Sequence, residues 1–177
     1  MRTMLDLPVP ATRAFTVVRA ETHPERLEAY AALRRRAFVD EQHLFRGHDL
    51  DAHDGAPPTR VLVALDEEEQ VIGGVRLHPV AAPAPAARAA HWRGSRLVCS
   101  GAGSPSRGLV GALLVRRACV EALAAGATHF DATVQARYRH FFARLGWDDV
   151  RAVDVAGAEH RLMVWPIPTT LPEEPTP

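Results

Sequence analysis

The sequence predicts an α/β (α+β) chain: a mixed, mostly antiparallel sheet flanked by helices. Three observations carry this. Segments with strand and helix patterning follow one another as β–α–ββ–β–α–β–α–ββ, with two hairpins and no repeating βαβ array. The helix read over Gly108 to Ala125 places Leu109, Leu113, Val120 and Leu123 on or near one face and stops at Gly126. A strand-like run, Ser95 to Ser100, leads through a small Gly- and Arg-bearing loop into that helix. The first N–H groups of a helix lack internal partners and face incoming negative charge, so this junction is suited to a phosphorylated ligand.

Each element has its own local reason. Phe15 to Ala20 (FTVVRA) is β-branched and reads as a strand. Pro24 sits well in a helix's first turn. The helix Glu25 to Val39 sets Leu27, Tyr30, Leu33 and Phe38 against an arginine face of Arg34, Arg35 and Arg36, read as exposed. Asp40 to Pro58 is a polar, irregular connection. Arg60 to Asp66 and Gln70 to Leu77 flank the acidic turn Glu67 to Glu69 as a hairpin. His78 to His91, rich in Ala and Pro, reads as a surface loop, with both histidines at the surface. Trp92 to Ser100 and Thr128 to Val134 read as strands, and Arg137 to Leu145 as a short helix ended by Gly146. Val150 to Val155 and His160 to Pro166 close the order around Ala156-Gly157. Trp92 and Trp147 are expected in the core or lining a groove. The expected organisation is a loose lead-in over 1–13, one domain over 14–166 and a disordered Pro-rich tail over 167–177.

Composition narrows the function classes. In 177 residues, 47% are hydrophobic, enough for a real core. Lys+Arg and Asp+Glu are both 21, so the net charge of +0 argues against nucleic acid as a partner. The two cysteines, Cys99 and Cys119, lie in apolar surroundings and read as buried thiols, which suits a cytoplasmic protein. No apolar run reaches the ~18 residues of a membrane span. Met1 to Pro10 has no long apolar core, so no signal peptide is expected. In extended backbone Asp49, Asp51 and His53 would share one face, with His48 and Asp54 nearby. Three readings stay open there: a divalent metal, a pocket for a cationic amine, or capping of local backbone.

Two patterns resemble a known superfamily. Arg35-Arg36-Ala37-Phe38-Val39-Asp40-Glu41-Gln42, followed by His48-Asp49-Leu50-Asp51-Ala52-His53-Asp54, looks like the N-terminal signature of a subgroup that also echoes acyl-homoserine-lactone synthases. Thr133-Val134-Gln135-Ala136-Arg137, then Phe141-Phe142-Ala143-Arg144-Leu145-Gly146-Trp147, looks like the closing strand–helix element of the same superfamily. Over residues 15–166 the chain resembles the GCN5-related N-acetyltransferases (GNAT), close to the branch named for nitrogen-starvation-associated N-acetyltransferases.

The resemblance implies a GNAT fold whose fourth and fifth strands splay apart to take acetyl-CoA as co-substrate. It also implies transfer of the acetyl group to the amine of a small-molecule acceptor. By resemblance, pantetheine pairs with backbone at Val98, Cys99 and Ser100, and the pyrophosphate lies on Ser106, Arg107, Gly108, Leu109, Val110, Gly111 and Ala112. Gln135 stands where the family usually has Asn. Glu41 is the candidate base for the amine. Phe142 replaces the tyrosine that many members use as acid, which leaves Tyr138, one helical turn earlier, as the candidate acid. The loop departs from the family pattern, with Ser106 at its first position and Leu109 at the central glycine. Either the loop re-registers or cofactor affinity falls. A shared sheet edge would allow a homodimer, and no metal is implied. The alternatives are an acyl-homoserine-lactone-synthase-like acyltransferase and a degenerate, non-catalytic GNAT binding module.

Overall fold

The computed structural model describes residues 15–81, 90–101 and 105–168. Seven strands form one sheet: β1 (Thr16–Arg19), β2 (Arg60–Leu65), β3 (Val71–Pro79), β4 (His91–Cys99), β5 (His129–Gln135), β6 (Asp148–Val155) and β7 (Ala158–Trp165). Their order across the sheet is β1-β2-β3-β4-β5-β7-β6. Every adjacent pair is antiparallel except β4 and β5, which run parallel. The helices are α1 (Pro24–Arg34), α2 (Pro105–Ala124) and α3 (Arg139–Arg144).

The sheet is buried on both faces, and β2 shows how. Leu62 and Ala64 join one apolar cluster with Leu114, Ala118 and Phe130, while Val61, Val63 and Leu65 join another with Tyr30 and Phe38. Side chains alternate across a strand, so RVLVAL feeds two cores at once. α2 covers the first face and α1 the second. The Gly73-Gly74 step lets α1 lie against β3: a Cβ on Gly74 would fall 2.5 Å from Tyr30 Cδ2. No side chain larger than hydrogen fits there without moving the helix.

Several boundaries differ from the sequence reading. The helix from Pro24 does not stay α-helical to Val39; from Arg35 to Glu41 it widens into a π-helical segment. This shifts the phase of Phe38 and Gln42, and such turns recur at functional sites. α2 begins at Pro105, ahead of the start expected at Gly108, so Ser106 and Arg107 are also helical instead of in a loop. The reason is Pro105 itself, whose fixed φ suits a first helical turn. Leu109 is therefore helical, without a positive φ. β3 and β4 also extend into the stretch expected to be a loop: His78 pairs with Arg93, and Pro79 with Trp92. Trp92 and Trp147 are buried. The lead-in 1–13, the Ala/Pro-rich 82–89 and the tail beyond 168 lie outside the described residues. Among the described residues no helix is long and apolar enough to cross a membrane.

Candidate active site

The site begins where a ladder ends. β4 and β5 pair at His91↔His129, Trp92↔Phe130, Arg93↔Asp131 and Gly94↔Ala132, and no further. Both strands continue, β4 to Cys99 and β5 to Gln135. On its other side β4 carries a bulge: the register with β3 slips between Gly74↔Val98 and Arg76↔Ser95. Two β4 residues, Arg96 and Leu97, oppose the single Val75. A bulge bends and twists its strand, so β4 turns away from β5 after Gly94. Arg96 sits in the left-handed region at φ +57°, which a side-chain-bearing residue adopts at a cost.

That strained turn is held from below. Tyr30 donates its hydroxyl to the Arg96 carbonyl at 2.8 Å. The Arg96 guanidinium lies 3.1 Å from Asp49 Oδ2 and 3.2 Å from Asp51 Oδ2, over the Phe45 ring. Two more arginines complete the cluster. Arg34 Nε donates to Asp49 Oδ2 (2.7 Å) and Arg34 Nη1 to Asp54 Oδ1 (2.6 Å). Arg76 takes Asp51 bidentately (2.8 and 2.7 Å) and reaches Asp54 at 2.9 Å. Arg34 is thus buried, against the exposed arginine face expected of it. Asp49, Asp51 and Asp54 are engaged by arginine instead of exposing a common metal-binding face. Local capping is also present: Asp51 Oδ1 accepts the His53 N–H, and Asp54 Oδ2 the Asp51 N–H.

These pairings set the acid limit of the fold. Burial would raise the Asp54 carboxyl, but the hydrogen bonds and charge of Arg34 hold it far below the usual range. Asp51, bound by Arg76, and Asp131, bound by Arg93, are lowered against burial in the same way. A depressed folded pKa adds stability that is complete above the unfolded value near 4 and is lost as pH falls through the folded values. Urea melts should therefore be level from about pH 7 to 5 and fall steeply below about pH 4. Asp54→Asn should flatten that fall; an unchanged slope would show that Asp54 does not carry it.

The diverging strands enclose a cavity of about 570 Å³, within the range of small-ligand sites. β4 supplies Ser95 to Cys99, β5 supplies Thr133 to Gln135, and the start of α2 supplies Arg107, Gly108 and Gly111. Phe38, Leu44 and Phe45 form an apolar side. Gln135 Nε2 donates to Gln42 Oε1 at 2.7 Å, linking β5 to the π-helical segment. Cys99 borders the space, and burial pushes its thiol up to about 11. It is a poor nucleophile at neutral pH. His53 and His78 also border it, their rings stacked with centroids 3.6 Å apart. His78 is buried, not at the surface as expected, and burial lowers its pKa. Its Nδ1 faces the Pro79 carbonyl at 3.2 Å, which assigns the proton there and leaves Nε2 as an acceptor.

The residues singled out from the sequence divide cleanly. Val98, Cys99, Arg107, Gly108, Gly111, Gln135 and Tyr138 border the cavity. Ser100, Ser106, Leu109, Val110 and Ala112 do not. Ser100 is tied to the Ile72 carbonyl through its N–H and Oγ. Val110 packs into the core. Glu41 is exposed at the end of the π-helical segment and does not line the space, whereas its neighbour Gln42 does. His53, His78, Phe45 and Ser95 were not singled out as parts of one site. For His78 the available signal was its place two rungs from Arg76 on an otherwise apolar strand.

A CoA-type ligand can be tested against these features. β4 beyond Gly94 has no ladder to β5, which leaves a backbone edge for an extended amide-bearing chain. The α2 start brings Arg107 and the small Gly108 to the cavity mouth. Trp147 also borders the space. These features fit a pantetheine amide chain ending in phosphates.

No protein-family description matches the sequence, and no curated protein matches it. Solved structures do. An acyl-CoA N-acyltransferase from Pseudomonas aeruginosa is 23% identical, with a TM-score of 0.66 over 87% of this chain and 99% of that one. BjaI, a CoA-dependent acyl-homoserine lactone synthase, is 21% identical, with a TM-score of 0.65 over 86% and 82%. FeeM, an N-acyl amino acid synthase from uncultured soil microbes, is 12% identical, with a TM-score of 0.69 over 88% and 91%. Through its strand order and the parallel β4–β5 pair, this chain has the GNAT fold.

Proposed function

We propose that the protein is an acyl-CoA-dependent N-acyltransferase, with acetyl-CoA as donor and the amine of a small molecule as acceptor, reacting directly in a ternary complex. The observation that carries this reading is the cavity opening where β4 and β5 stop pairing, with Arg107, Gly108 and Gly111 at its rim. The bound thioester supplies the acyl group. Unpaired N–H groups of β4 beyond Gly94 polarise the thioester carbonyl. The amine nitrogen attacks that carbon, the C–S bond breaks, and the amine proton leaves. His78 Nε2 is better placed than Glu41 to accept that proton, because burial keeps the ring neutral near pH 7 and it borders the cavity. Tyr138, at the cavity wall, can donate a proton to the departing thiolate; Phe142 has none to give. The raised thiol pKa of Cys99 argues against an acyl-cysteine step.

A second reading follows from the apolar side. Phe38, Leu44 and Phe45 line the cavity with apolar surface, which favours a longer acyl donor. Thermal-shift titration with acetyl-CoA, followed by mass spectrometry of products over an amine panel with acetyl- and longer acyl-CoA, separates the cases. Stabilisation by acetyl-CoA and an acetylated amine are expected. Products formed only from longer donors would move the assignment to the second reading. Binding without turnover would make this a binding module, and no stabilisation at millimolar donor would end the proposal.

A further inference from the structure

The closed end of the parallel pair holds His91, His129 and Asp131, none of which borders the cavity, although their neighbour Arg93 does. His91 and His129 are direct neighbours across β4 and β5, and Asp131 lies two residues further along β5, opposite Arg93. His91 Nε2 is 2.7 Å from Asp131 Oδ2, and His129 Nε2 is 3.7 Å from the same oxygen. The two imidazoles meet edge to face, their centroids 4.6 Å apart. One ligand atom from each of the three residues lies within 4.8 Å of the others. We propose that His91, His129 and Asp131 bind a divalent transition metal of the zinc class across the paired end of the two strands.

The ligand chemistry selects the ion. Two imidazoles and one carboxylate suit Zn²⁺, Ni²⁺ or Cu²⁺, and not Mg²⁺ or Ca²⁺, which take mostly oxygen. Ligand atoms on a tetrahedral zinc lie roughly 3.3 Å apart, given bonds of about 2.0–2.1 Å. The observed separations straddle that value. The half-exposed His129 ring has freedom to rotate inward, while Asp131, almost wholly buried, is fixed. The ion would replace the proton shared by His91 Nε2 and Asp131 Oδ2, and water would fill the fourth position.

Arg93 is the counter-argument and also the support. It holds Asp131 through Nε to Oδ1 (2.6 Å) and Nη2 to Oδ2 (2.9 Å). Its positive charge opposes a cation and sets the expected affinity at micromolar. Yet it orients the carboxylate, and an ionised carboxylate has about four acceptor positions, enough for Arg93 and a metal together. The site sits at the first rung of the ladder that ends at Gly94, so a bound ion would pin the strands at the end opposite their divergence.

The test uses the full chain, stripped with a chelator and titrated with ZnCl₂ against a chromophoric competitor, with Co²⁺ absorption as a second readout. One equivalent bound at micromolar affinity, with a raised melting temperature, is expected. His91→Ala and His129→Ala should each weaken binding at least tenfold. His129 is about half exposed, so its variant is expected to fold and gives the answer even if the other does not. No saturable binding, or binding that survives in His129→Ala with a Co²⁺ spectrum unchanged from the parent, overturns the site and leaves a plain hydrogen-bonded cluster.

Discussion

Replacing Arg34 by Met should cost the fold about 3–5 kcal/mol, the usual penalty for breaking one side of a buried ion pair. Met keeps much of the apolar stem and removes the charge. Asp49, itself buried, would then rely on Arg96, and Asp54 on Arg76. The three-arginine, three-aspartate cluster would pass from neutral to net negative inside the protein. The loss is read as a lower urea midpoint at pH 7. It should be strongly non-additive with Asp49→Asn, because the two side chains are joined directly by a hydrogen bond. A change under about 1 kcal/mol would show that Arg76 and Arg96 can carry all three carboxylates. The variant should also loosen the cavity, because Asp49 helps to hold the Arg96 bulge from which β4 diverges.

Gly108→Asp is expected to move stability and donor binding in opposite directions. An added Cβ at Gly108 meets nothing within 4 Å, so the substitution fits. Asp is a better helix residue than Gly, and its charge near the start of α2 favours the helix dipole. Together these should add roughly 1 kcal/mol. The same charge stands where, under the proposed function, the donor's phosphates lie. At about 6 Å and an effective dielectric of about 20, two unit charges repel by roughly 3 kcal/mol before salt screening. The KM for acyl-CoA should therefore rise roughly 10- to 100-fold while the melting temperature rises slightly. A more stable protein with an unchanged donor KM would remove the phosphates from the α2 start.

Much of the fold was legible because its signals are local. Pro24, the acidic turn after Asp66, Gly126 and Gly146 punctuate the chain at or near real element ends. The resemblance-bearing segments Phe38 to Asp54 and Gln135 to Trp147 both reach one cavity and are joined by the Gln42–Gln135 bond. The errors fell where the deciding partner is distant. Arg34 looked like its neighbours Arg35 and Arg36 because no periodicity reveals that Asp49 and Asp54 will close over one of the three. His78 looked like the edge of a loop because the strand's length is set by pairing with β4, and its burial by stacking on His53. α2 starts at Pro105, ahead of Gly108, because the fixed φ of proline already suits a first helical turn.

By itself the order of residues determined the succession of elements, the β4 strand followed by the α2 helix among them. Apolar spacing and turn chemistry act within a few residues and need no fold to be read. Only the tertiary structure decided that three aspartates neutralise three arginines, Arg96 of the β4 bulge among them, and that β4 parts from β5 after Gly94. Charge pairing and strand divergence depend on which groups arrive together in space, and sequence separation does not encode that.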